Sequence, residues 1–540
     1  MVNDDRGNGM SGSEDVSIDG NGDDANPRTA SPSENDAIEF GIDDKPPIGQ
    51  SALLGVQHYL TMIGSTIAVP LAMVGAMEGV GADPATAQLV GTFFIVAGVS
   101  TVLQTTIGNR YPLVQGASFA ILAPALAIIG TLGAAGTTNF ESIMVELQGA
   151  MIAAGIFQII IGYSGLFGYL KRFLSPVVVA PVIALIGLSL FDVGQITAAD
   201  QSLWLIGLTL ALIVLFSQYL GGYSRILNLY PVLLGLLGAW LAAAVLSTTG
   251  VVSEDSTAFV EVSAATEPAL IQPIVPFQWG MPEFTTAFVI GMTAGVVASM
   301  IESFGDYYAV ARMSGENAPS SQRINHGLGM EGVGNLFAGI MGTGNGATSY
   351  SENIGAIGIT NVASRYVVQI GGIIMIIAGY IGIVGGFVQT IPDPIVGGLF
   401  LVMFAQIIGV GLSQLQHVDL NKNRNAFVAG LTLLSGLSVP TYVGQFEAGD
   451  IQAGLVDLSV LGSLLDAQPL GIQIAEVIAQ VLFVVGTTGI AVGLIVGFIL
   501  DNTISGTRDG RGLSAWEELT EDDDDFEAVH ERYLTGNRDK

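Results

Sequence analysis

Of the 540 residues, half are apolar and only 12% are charged, giving a mean hydropathy of +0.60. Average usage would be about a quarter charged, so a soluble globule is excluded and a polytopic membrane protein is indicated. The net charge of −30 argues against nucleic acid as a partner, and the absence of cysteine excludes disulfides, thiolate nucleophiles and Cys-ligated metal.

Residues 1–49 are acidic, rich in Gly, Asn, Asp and Ser, and lack the apolar stretch of a signal peptide; they read as a disordered cytoplasmic tail. Residues 501–540, with an unbroken acidic run from Glu521 to Asp525, read as a second one, and the two tails hold 24 of the 47 acids. Only four of the 17 basic residues are Lys. An acid load of this size resembles that of extreme halophiles, whose charged surfaces stay soluble in concentrated salt.

Between the tails, apolar runs able to cross roughly 30 Å of hydrocarbon, some of them interrupted, fall at 54–77, 86–107, 112–131, 147–170, 176–193, 203–221, 226–247, 284–311, 327–343, 347–362, 366–390, 394–414, 424–442 and 472–500. Fourteen spans are therefore expected, in an all-α membrane protein divided into residues 50–247, an external loop at 248–282, and residues 283–500. With both termini in the cytoplasm, Arg110, Lys171, Arg172, Arg225, Arg312, Arg323, Arg365, Lys422 and Arg424 all fall on cytoplasmic connections or helix ends. The external connections, including 248–282 and 443–471, carry no Lys or Arg.

The two halves echo one another. Ser175-Pro-Val-Val-Val-Ala-Pro in span five resembles Asp393-Pro-Ile-Val-Gly-Gly in span twelve, and an odd separation of seven spans would invert the second copy relative to the first. Likewise Pro112-Leu-Val-Gln-Gly-Ala-Ser-Phe in span three has the small-and-polar interruption of residues 346–353 in span ten. A plain helix over 342–365 would leave glycines, hydroxyls and a carboxylate unmet in lipid. A short extended piece around Ala347–Tyr350, turning at Ser351 into a half-helix, fits this pattern better. Two such broken spans at matching positions would meet near the midplane.

Four carboxylates lie within the spans: Glu302 and Asp306 in span eight, Glu331 in span nine and Glu352 in span ten. A charge at helix centre costs about 2.5 to 3.5 kcal/mol on insertion scales, so each needs a partner, a proton or a water-lined cavity. Glu302 and Asp306 are four apart and share a helix face. A carboxyl that exchanges a proton there is the working part of a proton-coupled carrier; the structural alternative is a hydrogen-bond partner for the broken spans. Glu352 also suits the first turn of a half-helix. Asn353 suits either a solute or a neighbouring span. Phe119 and Tyr350 offer an aromatic wall to a planar ring, or ordinary packing. Ser118 and Gln115 add donors and acceptors, and His58 is an intramembrane imidazole that is either a proton site or an interhelical partner. No metal-ligand spacing, Ser-His-Asp arrangement or phosphate loop is present; Gly342-Thr-Gly-Asn-Gly lacks the Lys of a P-loop.

From about Ser51 to Leu500 the sequence resembles the nucleobase/ascorbate transporter family, the nucleobase:cation symporters of the uracil and xanthine permease type. The likeness is carried by Ser351-Glu-Asn-Ile-Gly-Ala-Ile-Gly-Ile-Thr, Glu302-Ser-Phe-Gly-Asp-Tyr-Tyr-Ala, Gln57-His and Gln115-Gly-Ala-Ser-Phe. The resemblance implies two inverted seven-span repeats and a core domain (spans one to four and eight to eleven) moving against a gate domain (five to seven and twelve to fourteen), usually in a homodimer. It implies that Glu302 and Glu352 hydrogen-bond the base, with contacts at Phe119 and Ser351 and with Ser118 and Tyr350 alongside, and that protonation of Glu302 is linked to transport. Asn353 as a further solute contact, and Asp306, Glu331 and His58 as further coupling candidates, rest on their place in the spans and not on the resemblance.

The expected activity is proton-coupled uptake of a small-molecule nucleobase across the plasma membrane, with no cofactor and no covalent chemistry, hence no enzyme. Sodium is the alternative coupling ion. In the family the position of Glu352 tends to be Glu in uracil permeases, Gln in many purine permeases and Pro in ascorbate carriers, which favours uracil. Asp306 stands where bacterial uracil permeases have His, and the run from Glu302 to Arg312 looks closer to the purine and ascorbate branches, which keeps xanthine or uric acid, and more remotely ascorbate, as alternatives. An anion carrier of the same fold would want a basic residue beside the half-helices, and none is present.

Overall fold

Long uncharged runs leave the peptide groups no partner in lipid except one another, and the described residues accordingly fold mostly into helices. The computed structural model describes residues 38–166, 173–458, 474–513 and 526; most of both tails, with Lys171 and Arg172, lies outside them. In chain order the main helices are α1 (Ile48–Gly79), α2 (Thr86–Thr106), α3 (Phe119–Ala134), α4 (Phe140–Tyr163), α5 (Pro176–Ser189), α6 (Leu203–Val214, continued by a π turn at Leu215–Tyr219), α7 (Pro231–Thr248), α8 (Thr286–Met313) and α9 (Ser321–Met341). They continue with α10 (Ser351–Thr360), α11 (Arg365–Tyr380), α12 (Asp393–Ser413), α13 (Asn423–Val443), α14 (Ile474–Thr487) and α15 (Gly489–Thr503). Two three-residue strands, β1 (Gln115–Ala117) and β2 (Ala347–Ser349), lead into α3 and α10.

Among the described residues seven helices, α1, α2, α4, α7, α8, α12 and α13, are long and apolar enough to cross a membrane; α14 and α15, bent by 93° at their junction, make an eighth if they form one span. α3, α5, α6 and α11 are apolar but shorter. The regions expected as spans at 366–390 and 472–500 are therefore broken. α11 stops at Tyr380 because Ile381 leaves the helix to bridge Ile271, and a short helix resumes at Gly382–Gln389. The expected loop at 248–282 thus packs back on the bundle, and the buried Trp279 indole donates to the Gly342 carbonyl at 2.7 Å.

Glycine sets how closely the helices approach, as expected where lipid offers no hydrophobic drive between them. In the α2–α11 contact a Cβ on Gly91 would stand 2.5 Å from the Gly379 carbonyl oxygen, and the reverse distance is also 2.5 Å. The echoing segments at Ser175 and Asp393 become α5 and α12, each with proline in its first turn. They pack on one another: a Cβ on Gly187 would lie 2.6 Å from the Phe404 carbonyl oxygen, and one on Gly411 would lie 2.5 Å from the Ala184 nitrogen.

Candidate functional site

Gln115-Gly-Ala and Ala347-Thr-Ser are too short and too rich in small residues to be strands on their own; they hold because they pair with each other. β1 and β2 run antiparallel in the register Gln115–Ser349, Gly116–Thr348 and Ala117–Ala347. Side chains from around them satisfy the remaining polar groups. Asn345 accepts the Ser118 N–H at 2.9 Å and donates to the Ser118 carbonyl at 3.1 Å, and the Tyr350 hydroxyl donates to the Ala117 carbonyl at 2.8 Å. The Ser118 hydroxyl accepts the Ile121 N–H as the cap of α3. α10 starts at Ser351 with no side-chain cap from Tyr350.

Beside these two helix starts is a cavity of about 420 Å³, a volume usual for small-molecule sites. Glu302 and Asp306 reach it from α8, Phe119 from α3, and Tyr350, Ser351 and Glu352 from the start of α10. Gln406, Ile407, Val410, Ser413 and Gln414 of α12 and its C-terminal end form the facing wall, and no lining residue is basic. The Ser351 hydroxyl donates to Asp306 Oδ1 at 2.6 Å, and the Ser65 hydroxyl of α1 donates to Glu352 Oε1 at 3.3 Å. Glu302 Oε2 and Asp306 Oδ2 are buried with no hydrogen-bond partner among the described residues. The site thus presents buried acceptors that a solute's N–H groups, or protons, can satisfy.

The fold brings Glu302, Asp306, Glu352, Phe119, Tyr350 and Ser351 to this one wall, and it does not bring Ser118, Asn353, Glu331 or His58 there. Ser118 is spent on capping. The Asn353 amide oxygen accepts the Val114 N–H at 2.6 Å, and its nitrogen faces His58 Nδ1 at 3.3 Å, so both residues tie α10 to α1 and the approach to β1. Glu331 Oε1 accepts from the Ser303 and Ser349 hydroxyls at 2.7 and 2.8 Å and from the Ser349 N–H at 3.2 Å. Gln115 joins that network through Ser349 at 2.9 Å. These residues hold the broken spans together behind the cavity. Gln406 was the one wall residue with a sequence signal that composition alone passes over: it is the sole polar side chain between Ile395 and Leu412.

A cavity at the meeting point of two interrupted segments in a helical bundle, lined by buried acceptors, is the arrangement that a small-molecule carrier needs. Residues 49–444 match the Permease family. The chain is 39% identical to human solute carrier family 23 member 2, over 90% of this chain and 77% of the relative. It is 34% identical to Arabidopsis thaliana nucleobase-ascorbate transporter 12, over 89% of this chain and 72% of the relative. The chain belongs to the nucleobase/ascorbate transporter family, whose members are multi-pass membrane transporters and not enzymes. In fold it is similar to the murine solute carrier 26 family member A9 anion transporter in its inward-facing state, with a TM-score of 0.53 at 13% identity, covering 73% of this chain and 66% of that one.

Proposed function

We propose that the protein carries an uncharged nucleobase, uracil first among them, into the cell together with a proton. One observation carries this reading: Glu302, Asp306 and Glu352 line the same cavity, with no basic residue in its wall. A neutral lactam ring offers N–H donors to carboxylate acceptors and a flat face to Phe119 and Tyr350. An anion such as ascorbate or urate would bring a negative charge into a low-dielectric site that holds three acids and no basic residue, which disfavours it. Xanthine is the second reading, favoured by a volume that leaves room for a second ring.

In this reading α1–α4 and α8–α11 make the core, the remaining helices make the gate, and the chain crosses the plasma membrane fourteen times as two inverted repeats within a homodimer, with both termini in the cytoplasm. Base and proton enter from outside; Glu302 and Glu352 hold the ring, and the core slides against α12 to release it. Labelled uracil and xanthine uptake into reconstituted vesicles, under imposed proton or sodium gradients, tests substrate and ion together. Glu302→Gln should abolish gradient-driven accumulation while leaving some binding. Undiminished accumulation in that variant would remove Glu302 from the coupling role, and accumulation driven only by sodium would replace the proton.

A further inference from the structure

The cavity lies along the C-terminal half of α12. Every α12 residue in its wall, from Gln406 to Ser413, lies on the C-terminal side of Phe404. The N-terminal half is packed away: Ile395, Val396, Leu399 and Phe400 are all buried. At the boundary the Phe404 ring meets Phe119 edge-on, with centroids 5.8 Å apart and planes at 90°, and stacks on Phe400 at 5.1 Å with planes 8° apart. Phe119 is a wall residue and the other two rings are not. Beyond them Gln195 fills the gap between α1 and α12 so closely that a Cβ on Gly75 would fall 2.1 Å from its side-chain nitrogen and one on Gly397 would fall 2.0 Å from its carbonyl oxygen.

We infer that Phe119, Phe404 and Phe400 form an aromatic seal that closes the solute cavity toward the N-terminal end of α12. The inference rests on the cavity being a solute site, and not on which solute fills it. Phe119 sits at the start of α3, and Phe404 and Phe400 belong to α12, so a slide of α3 past α12 parts the rings and their return restores the closure. Ring-to-ring contacts of this kind exclude water, yet each is weak enough to break and reform within a transport cycle. Gln195 backs the seal as a second layer at the same end.

The chain has no cysteine, so a single thiol can report on the seal without substrate. In reconstituted vesicles lacking any base, Phe404→Ala should raise the rate at which an imposed proton gradient decays several-fold over the parent protein. In the same background a thiol at Val396→Cys, buried in the N-terminal half of α12, should become reactive to a hydrophilic methanethiosulfonate added from the side of Ser413. A folded Phe404→Ala protein with parent-level leak and an unreactive thiol would overturn the seal. If Phe404→Ala does not fold, Phe404→Leu and Phe400→Ala replace it: excess leak in either supports the seal, and parent-level leak in both overturns it. A wrong substrate assignment would appear separately, as absent uptake of uracil and xanthine with the leak result unchanged.

Discussion

Ser351 Oγ donates to Asp306 Oδ1 across 2.6 Å, which fastens the first turn of α10 to α8 one helical turn beyond Glu302. The bond fixes the two acid-bearing elements relative to each other before any solute arrives. A typical intramolecular hydrogen bond contributes about 0.5–1.5 kcal/mol net, and ordering lost from a site is lost from its affinity. Ser351→Ala should therefore weaken equilibrium binding of the transported base roughly two- to tenfold, while Ser351→Thr should keep most of it. Equal affinity for Ala and Thr variants would show that this bond does not organise the site.

Glu331 is placed to hold β2 and α8 together. Its Oε1 receives three donors, two from Ser349 and one from Ser303. Each buried donor left without an acceptor costs about 1–3 kcal/mol. Glu331→Ala should lower the thermal unfolding midpoint in detergent markedly, and Glu331→Gln, which keeps one acceptor oxygen, should lower it less. Equal midpoints for the two variants would remove Glu331 from this scaffolding role.

Outside the spans, residues 38–45 run beside the α10–α11 joint: Glu39 N–H donates to the Asn361 carbonyl, Ala363 N–H to the Phe40 carbonyl and Arg365 N–H to the Ile42 carbonyl. Asp43 accepts from Arg365 Nε at 2.5 Å, with an Arg110 nitrogen at 3.7 Å. Burial opposes ionisation of Asp43, but the Arg365 hydrogen bond and the charges of Arg365, Arg110 and Arg323 outweigh it and hold the carboxyl below its usual 3.8. A depressed carboxyl adds stability that is fully present above the unfolded value and is lost as pH falls through the folded one. The Asp43 side chain is 67% exposed, so solvent and salt screen the pair to under about 1 kcal/mol. Asp43→Asn should lower the unfolding midpoint slightly at neutral pH, less in concentrated salt, and not at all in strong acid. A deficit that persists unchanged in acid would be packing, not charge.

The α2–α11 contact depends on having no side chain at Gly91 or Gly379. Gly91→Leu should push the helices apart and cut the yield of monodisperse protein sharply. Gly130→Ala, at a position with open space around it, serves as the control and should leave yield near that of the parent. Similar yields for both substitutions would mean that the bundle absorbs the extra atoms without cost.

Much of this architecture is legible in the sequence, because the constraints behind it are local. An uncharged run has nowhere but its own backbone to place its hydrogen bonds in lipid, so helices follow. The polar, glycine-rich stretch before Ser351 cannot continue such a helix, and an extended piece and a new helix start there are expected and observed at Ala347–Ser349 and Ser351. The spacing of Glu302 and Asp306 alone puts both on one face, and both line the cavity. What only the tertiary structure decided is which distant groups satisfy one another. Periodicity does not reveal that Gln115 pairs with Ser349, that the Asn353 amide is spent on Val114 instead of facing the cavity, or that Glu331 is enclosed by serines behind it. Nor does it reveal that Ile381 leaves its helix for Ile271, or that α12 supplies Gln406 to the wall and packs Phe404 edge-on against Phe119. Those choices join residues brought together only by packing of the whole bundle, where buried polar groups take whichever partner the fold delivers.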